Sequence, residues 1–177
     1  MTFSHRRRQG GFSLVELAAV LLVIAILTLI AIRGFATFTA KAQISEAMNL
    51  LGSAKPAAIE YREATATWAG TDALASISAN GVSGKYIESL HAEAGGALVA
   101  TFRNTAPVVT ALQGKAIAMG FAARGSNAAD AREGWLSFCG RASNDPSGPD
   151  GPFVFGTTDP ATLTTVANDL LPSVCKG

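Results

Sequence analysis

Histidine and cysteine are scarce in this 177-residue chain, with two residues of each type, and this limits the chemistry available to it. His91 has no cysteine or second histidine at zinc-ligand spacing, and His5 stands in a basic N-terminal stretch. No Ser/His/Asp arrangement is therefore supported. The pair Gly95-Gly96 lacks the Gly-x-Gly-x-x-Gly and Walker patterns of phosphate sites. We predict no enzymatic activity, no cofactor and no zinc site.

Three aspartates in the C-terminal part, Asp145, Asp150 and Asp159, could supply oxygen ligands to calcium. Each stands next to proline or glycine, where aspartate commonly serves as a turn residue. We therefore interpret them as turn residues and predict no metal site.

One carboxylate stands in an unusual place, inside a long apolar segment near the N-terminus. The segment Phe12–Ile32 has 21 residues, of which Ser13, Glu16 and Thr28 are not apolar. As a helix rising about 1.5 Å per residue it would span roughly 30 Å, the thickness of a bilayer core. An ionised carboxylate in such a segment costs on the order of 3 kcal/mol, so Glu16 indicates a partner or a function.

The overall composition points to the same segment. Hydrophobic residues make up 49% of the chain and mean hydropathy is +0.29, while charged residues make up only 15%. A soluble globular domain has about 25% charged residues. The length suits one domain, and the net charge of +1 argues against a strongly basic nucleic-acid binder.

Arg6, Arg7 and Arg8 precede the apolar segment and would hold that end in the cytoplasm. Three interpretations then compete. A secretory signal peptide would have a shorter apolar region followed by a small-residue cleavage site. An uncleaved signal anchor would stay in the membrane whole. In the third interpretation the chain is cut before the apolar segment, and the residues around Gly11 decide in its favour.

The junction reads RRRQGG followed by FSLVELAAVLLVIAILTLIAI, and it resembles the type IV pilin family, specifically the type IVa major pilins. The resemblance implies leader cleavage between Gly11 and Phe12 by a prepilin peptidase, which also N-methylates Phe12. Residues 1–11 would be the leader, 12–34 the transmembrane and assembly half of an N-terminal helix, and 35–177 the globular domain. The precursor would lie in the inner membrane and the mature chain in an extracellular filament.

The resemblance also gives Glu16 a role, since it becomes the fifth residue of the mature chain. Glu16 of one subunit could pair with the α-amine of Phe12 in a neighbour, which would remove two buried charges together. The alternative is a carboxylate near the helix start that is protonated, or reaches the headgroups and interacts with the helix dipole. The junction motif favours the assembly role for Phe12 and Glu16.

Weaker similarity continues along the chain, in FATFTAKAQISEAMNLLGSAKPAAIEYRE, GKYIESLHAEAGGALVATF, WLSFCG and LPSVCKG. It implies an α+β pilin fold: a long N-terminal helix packed on an antiparallel β-sheet of about four strands, with a C-terminal disulfide loop. Ala25 and Arg33 stand where family members commonly have glycine and proline. These departures leave open whether the helix melts locally in a filament, although Gly34 is close by.

Helical periodicity predicts that the helix continues over residues 35–63, with a stripe formed by Ile44, Ala47, Leu51 and Ala58 that can pack on a sheet. Pro56 removes a backbone donor, so we predict a bend near 52–56. Residues 64–84 are small and polar and are predicted to form a connecting loop.

Four strands are predicted within the sheet region, residues 85–139, from partly alternating apolar residues. Five of the seven prolines occur from Pro146 onward, in a segment predicted to lie on the surface. Asp159-Pro160 offers a helix start. The predicted strands are 85–92, 97–103, 115–123 and 134–139.

Cys139 and Cys175 are the two cysteines, and the predicted topology places them in the periplasm, where disulfides form and persist. We predict that they form a disulfide that closes the loop 139–175, with two free thiols as the alternative. Such a bridge would contribute roughly 4 kcal/mol by the chain-entropy estimate.

A DNA-binding patch is a further candidate, formed by basic residues of the C-terminal part. Removing the three leader arginines leaves 11 Lys+Arg against 13 Asp+Glu, a net charge of −2. This balance does not favour broad phosphate binding, so contact with DNA or a host surface is unsupported by charge. The basic residues concerned are Arg124, Arg132, Arg141 and Lys176.

The leading hypothesis is therefore a structural protein, the major subunit of a type IV pilus. Its partners would be other copies of itself, the prepilin peptidase, the inner-membrane assembly platform and the inner membrane. The resemblance implies adhesion, twitching motility or DNA uptake, and the sequence does not choose among them. Two alternatives stay open: a minor pilin or type II secretion pseudopilin, and a membrane-anchored periplasmic binding module that does not polymerise.

Overall fold

The structure, a computed structural model, describes residues 11–68, 83–93, 95–124, 136–140, 153–155 and 157–176. The chain divides into two compact units, Met1–Ala36 and Thr37–Gly177. The described part of the first unit is almost entirely helical. The second unit combines a helix with an antiparallel sheet.

Helix α1 comprises Leu14–Thr65. Alanine, leucine and isoleucine dominate its sequence, and its single proline, Pro56, lies inside the helix without ending it. The bend expected near 52–56 stays a prediction. The helix ends where Ala66 adopts a positive φ of 58°, with the amide of Ala66 donating to the carbonyl of Arg62 (2.9 Å).

One stripe of α1 is buried against the core of the second unit. Its members alternate four and three positions apart, the spacing that keeps residues on one face of a helix. Four of the six are alanines, whose small side chains let the helix backbone approach the sheet closely. The predicted stripe is confirmed, and its buried members are Ala40, Ile44, Ala47, Leu51, Ala54 and Ala58.

In the part of the chain that the structure describes, the sheet has five strands, and their pairings are antiparallel. The four predicted strands are present with ends shifted by one or two residues, and a fifth strand was not predicted. The order is β1-β2-β3-β4, with β5 paired to β3. The strands are β1 Ile87–Ala92, β2 Leu98–Phe102, β3 Ala116–Arg124, β4 Leu136–Cys139 and β5 Phe153–Phe155.

Strand β3 is the centre of the sheet. Met119 pairs with Leu98 of β2 on one edge and with Cys139 of β4 on the other. Since Ala122 pairs with β4 as well as with Phe155, β5 continues β2 along the same edge of β3. Strands β2 and β5 thus share one edge of β3, and β4 lies on the other edge.

The C-terminal segment extends the β4 edge. The amides of Thr165 and Val166 donate to the carbonyl of Ala116 (2.9 and 3.2 Å), and the amide of Ala118 donates to Thr164 Oγ1 (3.1 Å). Val166 is fully buried. The end of the chain is therefore part of the sheet layer.

The core lies between α1 and the sheet and includes Phe102, Phe121 and Leu112, all fully buried. Trp68, just after α1, stacks on Phe121 with ring centroids 4.9 Å apart and planes 11° apart. This contact ties the segment after the helix to the central strand.

Candidate assembly segment and disulfide-bounded loop

Two hydrogen bonds close the start of α1. The amide of Ser13 donates to Oε2 of Glu16 (3.3 Å), and the amide of Val15 donates to Oγ of Ser13 (3.3 Å). This is a variant of the capping box, in which the glutamate accepts from the serine amide while the serine hydroxyl accepts from the second helical residue, Val15, instead of from the glutamate amide. Among residues 11–68 and the other described parts of the chain, no donor contacts Oε1 of Glu16, so this oxygen can accept a second partner. The Ser-x-x-Glu spacing is the signal that could have identified Ser13 from the sequence.

The peptide bond between Gly11 and Phe12 lies just before the helix, in backbone with no regular structure. Phe12 is 88% exposed, and a Cβ added to Gly11 would meet no atom within 4 Å. Packing among the described residues therefore does not require glycine at this position, and Gly11 and Phe12 are both exposed.

The apolar segment that follows presents its side chains outward all round. Within the described residues, α1 is the one helix that is long and apolar enough to cross a membrane. No residue in its most apolar stretch is buried. Thr28 places its hydroxyl on the carbonyl of Ile24, so this polar side chain is satisfied within the helix. Ala25 and Arg33 lie within the unbroken run of α1. A surface of this kind needs a partner, either lipid or other helices.

The predicted disulfide between Cys139 and Cys175 is confirmed, with a Cα–Cα distance of 4.8 Å. Both residues are buried, and Sγ of Cys175 lies 3.9 Å from Sδ of Met48 on α1. Gly140, at φ +64°, follows the first cysteine; a Cβ there would come within 2.5 Å of the carbonyl oxygen of Cys175. The bridge thus joins the end of β4 to the C-terminal segment beside the helix.

The segment before α2 (Pro160–Leu163) crosses the sheet closely at Gly120. The hydroxyl of Thr157 accepts a hydrogen bond from the amide of Phe121 (2.8 Å). A Cβ on Gly120 would lie 2.7 Å from Cδ of Pro160 and 3.1 Å from the carbonyl oxygen of Thr158. These contacts fix the disulfide-bounded loop on the central strand.

Other candidate residues do not form a site among the described residues. Asp159 caps α2 (Pro160–Leu163) by accepting from the amide of Ala161 (2.8 Å), so the helix start predicted there is confirmed. His91 contacts Glu93 (3.3 Å) on the surface. Lys176 is exposed. Asp145, Asp150, Arg132 and Arg141 lie outside the described residues.

Sequence reasoning missed one buried polar residue that positions a loop. Gln43 on α1 is 1% exposed; its Nε2 donates to the carbonyl of Pro107 (3.1 Å), and its Oε1 accepts from the amide of Val109 (3.1 Å). Both bonds hold the β2–β3 connection against the helix. No local pattern identifies such a partner, because the contacts join residues more than 60 positions apart.

Two protein-family models match the chain. The model described as pilin (bacterial filament) matches residues 40–176, and the prokaryotic N-terminal methylation motif matches residues 6–32. Together they cover the globular unit and the junction with the apolar segment.

Similar proteins have pilus names. Fimbrial protein EcpC of Eikenella corrodens is 39% identical over 114 residues, which cover 63% of this chain and 73% of that protein. Type IV major pilin protein PilE of Neisseria gonorrhoeae is 32% identical over 112 residues, 63% of this chain and 66% of PilE. A fimbrial protein of Neisseria meningitidis serogroup B is 34% identical over 88 residues, 49% of this chain and 52% of that protein. With its methylation motif, its long apolar helix and its disulfide-closed sheet, this chain belongs to the pilin family and is a pilus subunit.

Proposed function

We propose that the chain is the precursor of the major subunit of a type IV pilus, cut between Gly11 and Phe12 and polymerised through residues 12–34. The observation that carries the proposal is the apolar first part of α1, which is exposed on all sides and contains a single carboxylate, Glu16. A structural role of this kind requires no catalytic group.

The proposed assembly step transfers the apolar segment from lipid into a filament core made of equivalent helices. The segment exchanges one apolar environment for another, so apolar burial alone gives little preference for correct stacking. A charged pair does give a preference. The new α-amine of Phe12 in one copy would meet Glu16 of a neighbour, and each charge would otherwise be costly in an apolar surrounding.

The capping box is compatible with this pairing. The amide of Ser13 uses Oε2 of Glu16, while Oε1 stays available to an amine from another copy. A carboxylate can accept several hydrogen bonds at once. The proposed pair would therefore form without opening the first turn of α1.

Processing at Gly11 requires a peptidase that acts at the membrane, and the proposed partners are a prepilin peptidase and an inner-membrane assembly platform. The precursor would lie in the inner membrane, and the assembled chain outside the cell. The sheet and the disulfide-bounded loop would face outward on the filament. Relatives that are named as major pilins and fimbrial proteins support this assignment.

Mass spectrometry of the mature chain tests the proposal directly. We expect the chain to begin at N-methylated Phe12 in two samples, the membrane fraction and the sheared surface filaments. Intact Met1, or a cut after Ala36, would sink the proposal in favour of an anchored module or a secreted domain. Filaments in which this chain is a minor component would instead assign it to the minor pilins.

A further inference from the structure

The second compact unit carries a group of basic residues at one end of its sheet. Arg103, at the end of β2, donates from its amide to the carbonyl of Tyr86 just before β1 (3.0 Å). The amide of Phe102 donates to the carbonyl of Lys115 just before β3 (2.8 Å). Lys85, Arg103 and Lys115 therefore lie next to the ends of three neighbouring strands, at the same end of the sheet.

Helix α1 brings a further lysine to this end. Oε1 of Glu46 accepts from the amide of Tyr86 (3.0 Å), so the helix passes the strand ends at that position. Lys41 precedes Glu46 by five residues, about 7.5 Å along a helix. We call Lys41, Lys85, Arg103 and Lys115 the basic end.

Among the described residues the lysines of the basic end form no ion pair, and Nζ of Lys85 lies 5.2 Å from the centroid of the Tyr86 ring. Lys41, Lys85 and Lys115 are exposed, and the one ion pair recorded among the described residues is His91–Glu93, elsewhere on the sheet. Arg103 donates one hydrogen bond, from Nη2 to the carbonyl of Gly84 (3.2 Å). The carboxylates at this end are Glu46, which accepts from the amide of Tyr86, Glu88, near the start of β1, and Asp169, three residues after Val166, whose amide donates to Ala116. The four basic residues thus exceed these carboxylates by one charge.

The opposite end of the same unit is acidic. The β1–β2 turn reaches the end of α1, because a Cβ on Gly96 would touch Trp68, and the amide of Thr158 donates to the carbonyl of Gly95 (3.3 Å). Arg62 is the described basic residue at this end, beside Trp68. The acidic residues there are Glu60, Glu63, Glu93 and Asp159.

The basic end is bordered by uncharged surface. The connection 104–114 between β2 and β3 has no charged residue, and Asn104, Pro107 and Thr110 in it are exposed. Gln43 holds this connection on α1. Phe38, one turn before Lys41, is 75% exposed. Lysines beside an exposed aromatic and uncharged surface are typical of proteins that rest on a lipid headgroup layer.

We propose that the basic end docks on the anionic headgroups of the bilayer that holds residues 12–32, before the subunit enters a filament. Lys41 follows Ile32 by nine residues, which at most span roughly 30 Å even when extended. Lys41 therefore stays within about 30 Å of the end of the apolar segment, and the headgroups are present at a high effective concentration near the basic end. The acidic end is repelled by the same surface, so docking also orients the unit.

The acidic end of a second copy is the competing partner for these lysines. The bilayer is the favoured partner because every copy is anchored in it through residues 12–32. The uncharged connection 104–114, which adjoins the lysines, also fits a headgroup surface. The proposal depends on residues 12–32 spanning a bilayer and does not depend on polymerisation.

The test uses the full chain in vesicles, with a fluorescent amino acid at exposed Thr110 and a quencher on lipid headgroups. We expect stronger quenching in mixed phosphatidylcholine–phosphatidylglycerol vesicles than in phosphatidylcholine alone, and weaker quenching at high salt. Each lysine near an anionic surface contributes about 1 kcal/mol, or roughly fivefold in the equilibrium constant for docking. The double variant K85Q/K115Q should therefore lower this constant about 25-fold. The matched control K55Q/K176Q removes the same charge and should change it little.

The proposal would be overturned if quenching did not depend on phosphatidylglycerol. It would also be overturned if K55Q/K176Q lowered quenching as much as K85Q/K115Q does. Quenching that rises with the number of chains per vesicle, and not with phosphatidylglycerol, would assign the basic end to a second copy and overturn it as well. Flotation after an alkaline wash reports separately whether residues 12–32 are inserted. Failure of the docking proposal is thereby distinguished from failure of the membrane-anchored precursor.

Discussion

The backbone amide of Ser13 donates a hydrogen bond to Oε2 of Glu16, so the carboxylate of the apolar segment caps the helix that carries it. The same carboxylate is the proposed partner of a neighbour's Phe12 amine. A substitution at Glu16 therefore affects two interactions, one within the chain and one between chains. The two can be separated because capping needs only an acceptor oxygen, whereas amine pairing depends on a negative charge.

The first prediction concerns Glu16→Gln and Glu16→Ala. Glutamine keeps an acceptor for the amide of Ser13 but loses the charge, while alanine loses both. If pairing with Phe12 drives assembly, both variants should insert in the membrane and both should give filament yields at least tenfold below the wild type, the change that about 1.4 kcal/mol produces. Sheared filament is measured against membrane-inserted subunit.

Ser13→Ala is the control for capping alone. It removes the acceptor for the amide of Val15 and should weaken the first turn by about 1 kcal/mol without removing charge. Filament yield should fall less than in Glu16→Gln. Wild-type yield from Glu16→Gln would refute the charge pairing and leave Glu16 as a helix cap.

The second prediction concerns Gly11→Val. Since a Cβ at residue 11 meets no atom within 4 Å, the fold should be unchanged. If the proposed peptidase requires glycine before the cut, the uncut precursor should accumulate in the membrane. Intact-mass measurement reports the cut. Gly34→Ala, where a Cβ also meets no atom, is the control and should be processed normally. Normal processing of Gly11→Val would mean that glycine at this position is not read by a peptidase.

Local patterns were sufficient for the helix and for most of the sheet. The stripe Ile44, Ala47 and Leu51 repeats at helical spacing, so its burial followed from the sequence. Strand β5 could not be predicted, because Phe153–Phe155 is three residues long in a segment rich in glycine and proline, and its pairing depends on β3. The edge contact of Thr164 and Thr165 with β3 is likewise long-range.

At the candidate site, the junction at Gly11 and Phe12 and the carboxylate of Glu16 were recognisable because composition changes abruptly there. Ser13 was missed although its spacing to Glu16 is a known capping signature. Gln43 was missed for a physical reason: a polar residue between apolar helix positions looks like surface until its partners, Pro107 and Val109, are in place.

The third prediction tests Gln43. Gln43→Leu keeps the approximate volume but leaves the carbonyl of Pro107 and the amide of Val109 without their partner in a partly buried setting. Each unsatisfied group costs about 1–3 kcal/mol, so we expect the free energy of unfolding to fall by about 2–4 kcal/mol. Urea denaturation measures it. Ser45→Ala, an exposed position on the same helix, should change stability by less than about 0.5 kcal/mol. If Gln43→Leu is as stable as the wild type, the two hydrogen bonds of Gln43 do not hold the β2–β3 connection against the helix.

The fourth prediction concerns the disulfide. The double variant C139A/C175A opens a loop with a sequence separation of 36 and should lower the free energy of unfolding by about 4 kcal/mol, since the unfolded chain gains freedom. The same loss should appear when the wild type is unfolded in the presence of a reductant. Membrane insertion should be unaffected, because the apolar segment lies in the other unit. A loss below about 1 kcal/mol would show that the C-terminal segment is held chiefly by its bonds to Ala116 and Ala118.

The fifth prediction concerns Gly120, which the disulfide-bounded loop crosses. An alanine Cβ would approach Cδ of Pro160 to 2.7 Å and the carbonyl oxygen of Thr158 to 3.1 Å, so the crossing segment must move away from β3. The bond between the amide of Phe121 and the hydroxyl of Thr157 would lengthen with it. We expect Gly120→Ala to lower the free energy of unfolding by about 1–3 kcal/mol, as overpacking does.

Gly52→Ala is the matched control. Its Cβ meets no atom within 4 Å and it lies in α1, so the free energy of unfolding should rise by up to about 1 kcal/mol. Equal stability of the two variants would mean that the crossing can shift without cost, and that the disulfide, rather than close packing on β3, holds the loop in place.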